Sequence, residues 1–116
     1  MAHDEVPVRV TAWVDEGIAE LVTALNALSG VMTLSSCQEG PDGLARVSFC
    51  THEAGAVYDA VSRMADVIGG GRREGVTISL WWGADDAPPV ADLACPPGLV
   101  SAVAGTLRAS ACRTTA

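Results

Sequence analysis

The sequence contains no lysine, and its seven basic residues, all arginines, are outnumbered by 14 acidic ones, which gives a formal net charge of −7. Nucleic acids are bound mainly through basic side chains, so this balance argues against a nucleic-acid partner. No apolar run approaches the roughly 18 residues that span a bilayer, so no membrane partner is expected. The first five residues are acidic where a secretory signal is basic, and we therefore expect a cytoplasmic protein.

Cysteine, histidine and aromatic residues are also scarce: the chain has four Cys, two His, three Trp, one Tyr and one Phe. The cysteines form no C-x-x-C pair and the histidines lack zinc-ligand spacing, so no metal site is predicted. Free thiols in a reducing compartment are expected. Asp85, Asp86 and Asp92 match no calcium-loop pattern and are interpreted as part of a solvated loop.

Alternation and helical periodicity organise residues 1–116 into a single domain, with flexible ends at 1–5 and 110–116. Asp15 and Thr51 are placed to cap the first two helices, and Gly30 to end the first. The predicted strands are 6–14, 31–37, 44–50 and 76–82; the predicted helices follow Asp15, Thr51 and Pro96; and residues 83–97 are predicted to form a loop.

This order of elements, β-α-β-β-α-β with an extra C-terminal helix, indicates an α+β fold, a two-layer sandwich of the ferredoxin-like type. In such a fold one face of an antiparallel sheet packs under two helices. The opposite face is predicted to present small polar residues such as Thr33, together with a candidate interaction face made of Arg9, Trp13, Ser79 and Trp81.

Trp13 and Trp81 are predicted to be largely covered, either by the C-terminal helix or by a second subunit. Two tryptophans left in water would forfeit a few kcal/mol at about 25 cal/mol per Å2 of apolar surface. An apolar last helix also needs a surface to pack against. A homodimer is therefore one of two expected ways to bury this face.

The second and third predicted strands form a hairpin whose turn lies near Pro41 and Asp42. This register predicts Arg46 opposite Cys37 and Cys50 opposite Thr33, which leaves Cys37 and Cys50 too far apart for a disulfide. It also carries His52 away from Cys37 and so argues against a catalytic Cys–His pair. Phe49 is predicted to face the helices.

A candidate ligand site lies where the second strand ends. Ser35, Ser36 and Cys37 offer hydroxyl and thiol groups at the entrance of a Gly-rich turn, and strand ends often present polar groups to ligands. The same residues also suit a simple hairpin entry, in which small side chains favour the turn. The candidate ligand-binding residues are Thr33, Ser35, Ser36, Cys37, Gln38 and Arg46.

Residues 13–40 resemble the N-terminal motif of the wybutosine-synthesis tRNA methyltransferase family, whose members are third-step enzymes of that pathway. The matching positions are Val14-Asp15-Glu16, Ile18, Leu21, Leu25-Asn26, Thr33, Ser35-Ser36-Cys37 and Gly40. The resemblance implies an enzyme that uses S-adenosylmethionine to methylate a tricyclic guanine in a tRNA anticodon loop. Gln38-Glu39-Gly40 replaces the family's Ser-Gly-Arg, which places an acid where a base is expected.

Two functions are therefore expected. The residues themselves favour a small cytoplasmic binding or interaction domain, homodimeric, with its ligand site near Ser35-Ser36-Cys37. The alternative, implied by the resemblance, is an S-adenosylmethionine-dependent, methyltransferase-like RNA modification enzyme.

Overall fold

The computed structural model describes residues 13–53, 55–69, 75–82 and 89–114. Its strands form one antiparallel sheet in the order β1-β2-β4-β3, and its helices pack against this sheet, which confirms the α+β class. No helix in the described ranges is long and apolar enough to cross a membrane. The elements are α1 (Glu16–Asn26), β1 (Val31–Cys37), β2 (Ala45–Thr51), α2 (Ala56–Gly69), β3 (Thr77–Trp81), β4 (Val90–Cys95) and α3 (Val100–Thr114), with a short 3-10 helix (Pro97–Leu99) before α3.

A single hydrophobic core lies between the helices and the sheet. Each α-helix and each strand except β3 contributes at least one buried side chain to this core. The predicted periodicity of α1 and α2 is confirmed, because Ile18, Leu21 and Leu25 of α1 and Met64 and Ile68 of α2 are buried on one stripe. The central strands meet this stripe with alternating inward residues, which are Ala45, Val47 and Phe49 of β2 and Ala91, Leu93 and Cys95 of β4.

The C-terminal helix α3 completes the helical layer and packs against both α1 and α2. Its apolar stripe, Val100, Val103, Ala104 and Leu107, belongs to the same core. On its polar side, Ser101 Oγ and an Arg108 guanidinium nitrogen each donate a hydrogen bond of 2.8 Å to the Glu20 carboxylate of α1. The prediction that α3 covers the opposite sheet face, called the open face below, is therefore wrong.

Residues 83–97 do not form one loop as predicted, because β4 occupies Val90–Cys95 and pairs with both β2 and β3. Asp92 thus lies in a central strand and not in a solvated loop. Pro89 and Pro96 flank the strand, where their missing N–H groups cost no ladder hydrogen bond. Asp92 in the middle of the segment and Pro89 and Pro96 at its ends are typical of loops, and for this reason the strand was not predicted.

Three smaller boundaries also differ from the sequence prediction. Residues 1–12, which hold most of the predicted first strand and Arg9, lie outside the described residues, and Trp13 and Val14 are not in a strand. Thr51 does not cap α2, since it ends β2 and its hydroxyl donates to the Glu53 carbonyl oxygen at 2.5 Å. The last helix continues to Thr114, four residues beyond position 110.

A bulge in β1 changes which way its residues face. From Ser35 to Cys37 the register is the predicted one, and Arg46 lies opposite Cys37. The register shifts between Thr33 and Ser35, so Cys50 lies opposite Met32 and not opposite Thr33. Thr33 instead pairs with the buried Phe49, which as predicted faces the helices, and so Thr33 is not on the open face.

Candidate functional site

A cleft of about 530 Å3 opens beside the outer edge of β1. Three parts of the chain enclose it: the residues that lead into α1, one side chain of α1 itself, and the bulged stretch of β1. Its lining is half apolar and half polar, made of Trp13, Val14, Val22 and Leu34 together with Asp15, Thr33, Ser35 and Ser36. This cleft is the candidate functional site.

The bulge explains why so many side chains of β1 reach one cleft. Ser35 lies opposite Ser48 and Ser36 opposite the buried Val47, so the two neighbouring hydroxyls leave the strand on different faces. Leu34, the extra residue, is turned outward and is 55% exposed. Thr33 is held toward α1, because its N–H donates to Asn26 Oδ1 at 3.1 Å and its hydroxyl accepts from Asn26 Nδ2 at 2.9 Å.

Trp13 forms the most exposed wall of the cleft. It is 100% exposed, and Val14 beside it is 40% exposed, so both present apolar surface that no described residue covers. The predicted cover of Trp13 and Trp81 by the C-terminal helix is wrong, because Trp81 is 65% exposed in the single chain, and their cover by a second subunit stays a prediction. A free indole face is a surface on which flat or cationic ligand groups stack.

Gln38 fixes one end of the cleft by holding the first turn of α1. Its Oε1 accepts the Gly17 N–H at 2.8 Å, and its own N–H donates to Asp15 Oδ2 at 3.4 Å. Asp15 is the N-cap residue by position but makes no side-chain cap hydrogen bond, so Gln38 supplies the cap from the end of β1. The Gln38 side chain is thus engaged in holding α1 to β1.

Arg46 is engaged as well, on the open face of the sheet. Its guanidinium pairs with Asp42 and, at 2.8 Å, with Asp92, whose other oxygen accepts a 3.1 Å hydrogen bond from Ser48 Oγ. The two carboxylates raise the pKa of Arg46, and the guanidinium in turn lowers the pKa of Asp42. With both neighbours acidic, Arg46 is not available to attract an anionic ligand.

The six candidate ligand-binding residues therefore separate into three groups. Thr33, Ser35 and Ser36 line the cleft. Cys37 and Arg46 lie opposite each other on the open face, and Gln38 caps α1. Among the predicted interaction residues, Ser79 and Trp81 are exposed on β3, whereas Trp13 lies at the cleft.

Sequence reasoning missed four lining residues, Val14, Asp15, Val22 and Leu34. Val14 and Asp15 were predicted only to end a strand, to cap a helix and to belong to the resembling motif, and no pattern in β1 indicated a bulge at Leu34.

Cys37, Cys50 and Cys95 are free thiols. Burial raises the pKa of the Cys50 and Cys95 thiols. Cys37 is only partly buried, but the hairpin register separates it from His52 at the far end of β2. In the part of the chain that is described, no three His, Cys, Asp or Glu side chains converge as a metal site.

No protein-family model, curated protein or solved structure matches the chain. The resemblance of residues 13–40 to the wybutosine-synthesis family therefore stays a prediction. Its residues Thr33, Ser35 and Ser36 are nonetheless the hydroxyl side of the cleft.

Proposed function

We propose that this chain is a small binding domain whose cleft beside β1 holds a compact ligand with a flat, neutral or cationic group. The observation that carries this proposal is the composition of the cleft wall. The lining combines an uncovered indole, Trp13, with hydroxyl groups and a carboxylate, Asp15, and it contains no basic side chain. The volume of about 530 Å3 lies within the range of small-molecule sites.

The charges of the cleft favour this ligand class over anions. Asp15 repels a phosphate or carboxylate, and the chain as a whole carries a formal net charge of −7. Arg46 is already neutralised by Asp42 and Asp92. A cation or a neutral ring is not repelled by Asp15 or by the net charge, and a cation is in addition attracted to the indole face of Trp13.

The proposal can be tested with adenosine and adenosine monophosphate, which differ by one phosphate. NMR titration should show adenosine shifting the Trp13 indole resonance and the amides of Ser35 and Ser36, with the monophosphate binding more weakly. Trp13→Ala should abolish the response, whereas Trp81→Ala, which removes an exposed tryptophan away from the cleft, should keep it. Tighter binding of the monophosphate, or shifts confined to other surfaces at millimolar ligand, would contradict the proposal.

A second candidate is an S-adenosylmethionine-dependent enzyme that modifies RNA. It is favoured by one observation, namely that Thr33, Ser35 and Ser36, which carry the family resemblance, line the same cleft. The sulfonium of S-adenosylmethionine also suits Trp13 and Asp15. Calorimetric titration separates the candidates: micromolar binding of S-adenosylmethionine favours the enzyme, and no heat at millimolar ligand removes it.

We further propose that the domain works in the cytoplasm as a homodimer. The free thiols of Cys37, Cys50 and Cys95 support a reducing compartment. The exposed Trp81 and Trp82, 65% and 64% accessible in the single chain, support a second copy as their cover.

A further inference from the structure

We propose that two copies of this chain associate through the outer edge of β3, with Thr77–Trp81 of one copy pairing antiparallel to the same segment of the other. This interface belongs to the homodimer proposed above and is independent of the ligand in the cleft. It rests on the sheet order, which leaves β1 and β3 as the two edges of the described sheet. These edges differ in how they are protected.

The β1 edge is closed by its own chain. It carries the bulge at Leu34, and the Thr33 N–H donates to the Asn26 side chain. Directly after the strand, the Gln38 N–H donates to the Asp15 carboxylate. Natural sheets use such bulges, as well as charged residues and prolines, to prevent edge-to-edge pairing. A further strand cannot add at this edge without breaking those contacts.

The β3 edge lacks these protective features. Its sequence, Thr-Ile-Ser-Leu-Trp, contains no charge, proline or glycine, and its register with β4 is regular over all five residues. Among the described residues no side chain hydrogen-bonds to this edge. Such an edge presents unpaired N–H and C=O groups that another strand can take.

The segment is complementary to itself about Ser79. In a two-fold antiparallel pair centred there, each residue faces a partner on the same side of the joined sheet. The half-buried Ile78 then packs on the partner copy's Leu80, and the exposed Trp81 on its Thr77. No like charges face each other within the strand.

A structured aromatic pair lies at the end of the same edge. Trp82 Nε1 donates to Tyr58 Oη at 2.9 Å, and the two ring centroids are 6.4 Å apart. Both side chains stay largely exposed despite this contact, with Trp82 at 64% and Tyr58 at 47%. In the pairing centred on Ser79, Trp82 faces the partner copy's half-buried Val76, so an ordered apolar group meets apolar surface.

The charges that flank β3 in the sequence favour a second copy over an unrelated strand. Arg72 and Arg73 precede Ser79 by the same numbers of residues by which Asp86 and Asp85 follow it. These four residues lie outside the described ranges, and the point concerns only their order along the chain. Opposite charges therefore stand at positions symmetric about Ser79 in the sequence, an order that is complementary to a second, antiparallel copy of the same chain.

Sedimentation velocity on the full chain over about 1–200 μM tests the proposal, because a small interface of the weak class is expected to dissociate within this concentration range. Ser79→Lys places two ammonium groups opposite each other at the dyad and should raise the dimer dissociation constant at least about tenfold. Ser79 is exposed and faces Asp92 of its own chain, so the monomer should keep its circular dichroism spectrum. Ser62→Lys, the same change at an exposed position of α2, should leave the dimer intact.

A second variant does not depend on charge. Ser79→Cys should form a covalent dimer under mild oxidation, whereas Ser62→Cys should show only the background of the wild-type thiols, because only the dyad position brings two copies within bonding distance.

The proposal is overturned if the wild-type chain stays monomeric over the whole concentration range. It is also overturned if Ser79→Lys leaves the dimer unchanged, or if Ser79→Cys gives no more covalent dimer than Ser62→Cys. A monomer whose β3 amides resist hydrogen exchange also overturns it, since another segment of the same chain then occupies the edge. Ligand binding at the cleft is read by the NMR titration in Ser79→Lys, in which the cleft residues are unchanged. A failed interface and a failed ligand site therefore give separate results.

Discussion

The Gln38 side chain caps a helix that begins 22 residues earlier in the chain, because its Oε1 accepts the N–H of Gly17 at 2.8 Å. We expect Gln38→Ala to lower the free energy of unfolding by about 0.5–2 kcal/mol, the usual cost of losing an N-cap. Urea denaturation measures the change, and Glu39→Ala at the exposed neighbouring position serves as the control. Equal losses in the two variants would show that the cap contributes nothing specific.

The small size of Gly17 is required for the contact between the Gln38 side chain and α1. A Cβ at this position would lie 2.5 Å from Gln38 Oε1, so Gly17→Ala must displace the capping amide. Alanine gains roughly 0.5–1 kcal/mol over glycine within a helix, which the lost cap offsets in the wild-type background. In Gln38→Ala no amide remains to displace, and only the Cβ of residue 38, 3.3 Å away, must shift slightly, so the same substitution should be more favourable than in the wild type. A double-mutant cycle with an interaction energy near zero would contradict the coupling.

Phe49 is the largest fully buried side chain of the core, with 0% of its surface exposed. Phe49→Ala should cost about 3–5 kcal/mol through lost burial and the cavity left behind. Leu34→Ala, at the 55% exposed bulge of the same sheet, should cost far less. Chemical denaturation of both variants compares them, and similar losses would mean that the bulge is buried in solution.

The contact between α1 and α3 should depend on pH. Hydrogen bonds from Arg108 and then Ser101 lower the pKa of Glu20 below its ordinary value of 4.5. A carboxyl whose pKa is lower in the folded chain stabilises the fold above the ordinary value, and this stabilisation is lost as the pH falls through the folded pKa. The difference in unfolding free energy between wild type and Glu20→Gln should therefore be present at pH 7 and shrink below pH 4.5. When Arg108 is replaced by Gln, the effect of Glu20→Gln on the unfolding free energy should become nearly independent of pH. If this effect still changes with pH, a group other than Arg108 is responsible.

The thiols should react in an order set by burial. Burial raises the pKa of Cys50 and Cys95, which leaves less of the reactive thiolate near neutral pH and also limits access. Timed alkylation of the native protein at pH 8, followed by peptide mass spectrometry, should label the partly exposed Cys37 before either of them. In denaturant the three should react alike. Early labelling of Cys95 in the native protein would show that β4 opens readily.

Most helices and strands were predictable because their signals are local. The spacing of Ile18, Leu21 and Leu25 and the N-cap position of Asp15 indicate α1 without reference to the rest of the chain. The predicted end at Gly30 is wrong, because the helix ends at Asn26 with Ala27 as its C-cap. The Cys37–Arg46 pairing likewise followed from the position of one turn. Such features depend on residues a few positions apart, which a single sequence displays directly.

The missed features depend on distant partners. Asp92 can lie in a central strand because Arg46 and Ser48, more than 40 residues earlier, donate hydrogen bonds to its carboxylate. The residues that neighbour Asp92 in the sequence do not indicate these partners. The bulge at Leu34 follows from fitting β1 to both β2 and α1. The cleft depends on that bulge and on the path of the chain before α1, so the sequence located its hydroxyl side but not its apolar wall.

The placement of α3 also has a consequence for how the chain folds as it is synthesised. Val103 and Leu107 fill a core that α1 enters first, and the contacts from Ser101 and Arg108 to Glu20 span 81 and 88 positions. While α3 is still inside the ribosome, the nascent chain exposes the apolar stripe of α1 without its cover. The core is therefore completed only once α3 has emerged, through pairings of long sequence separation that close slowly.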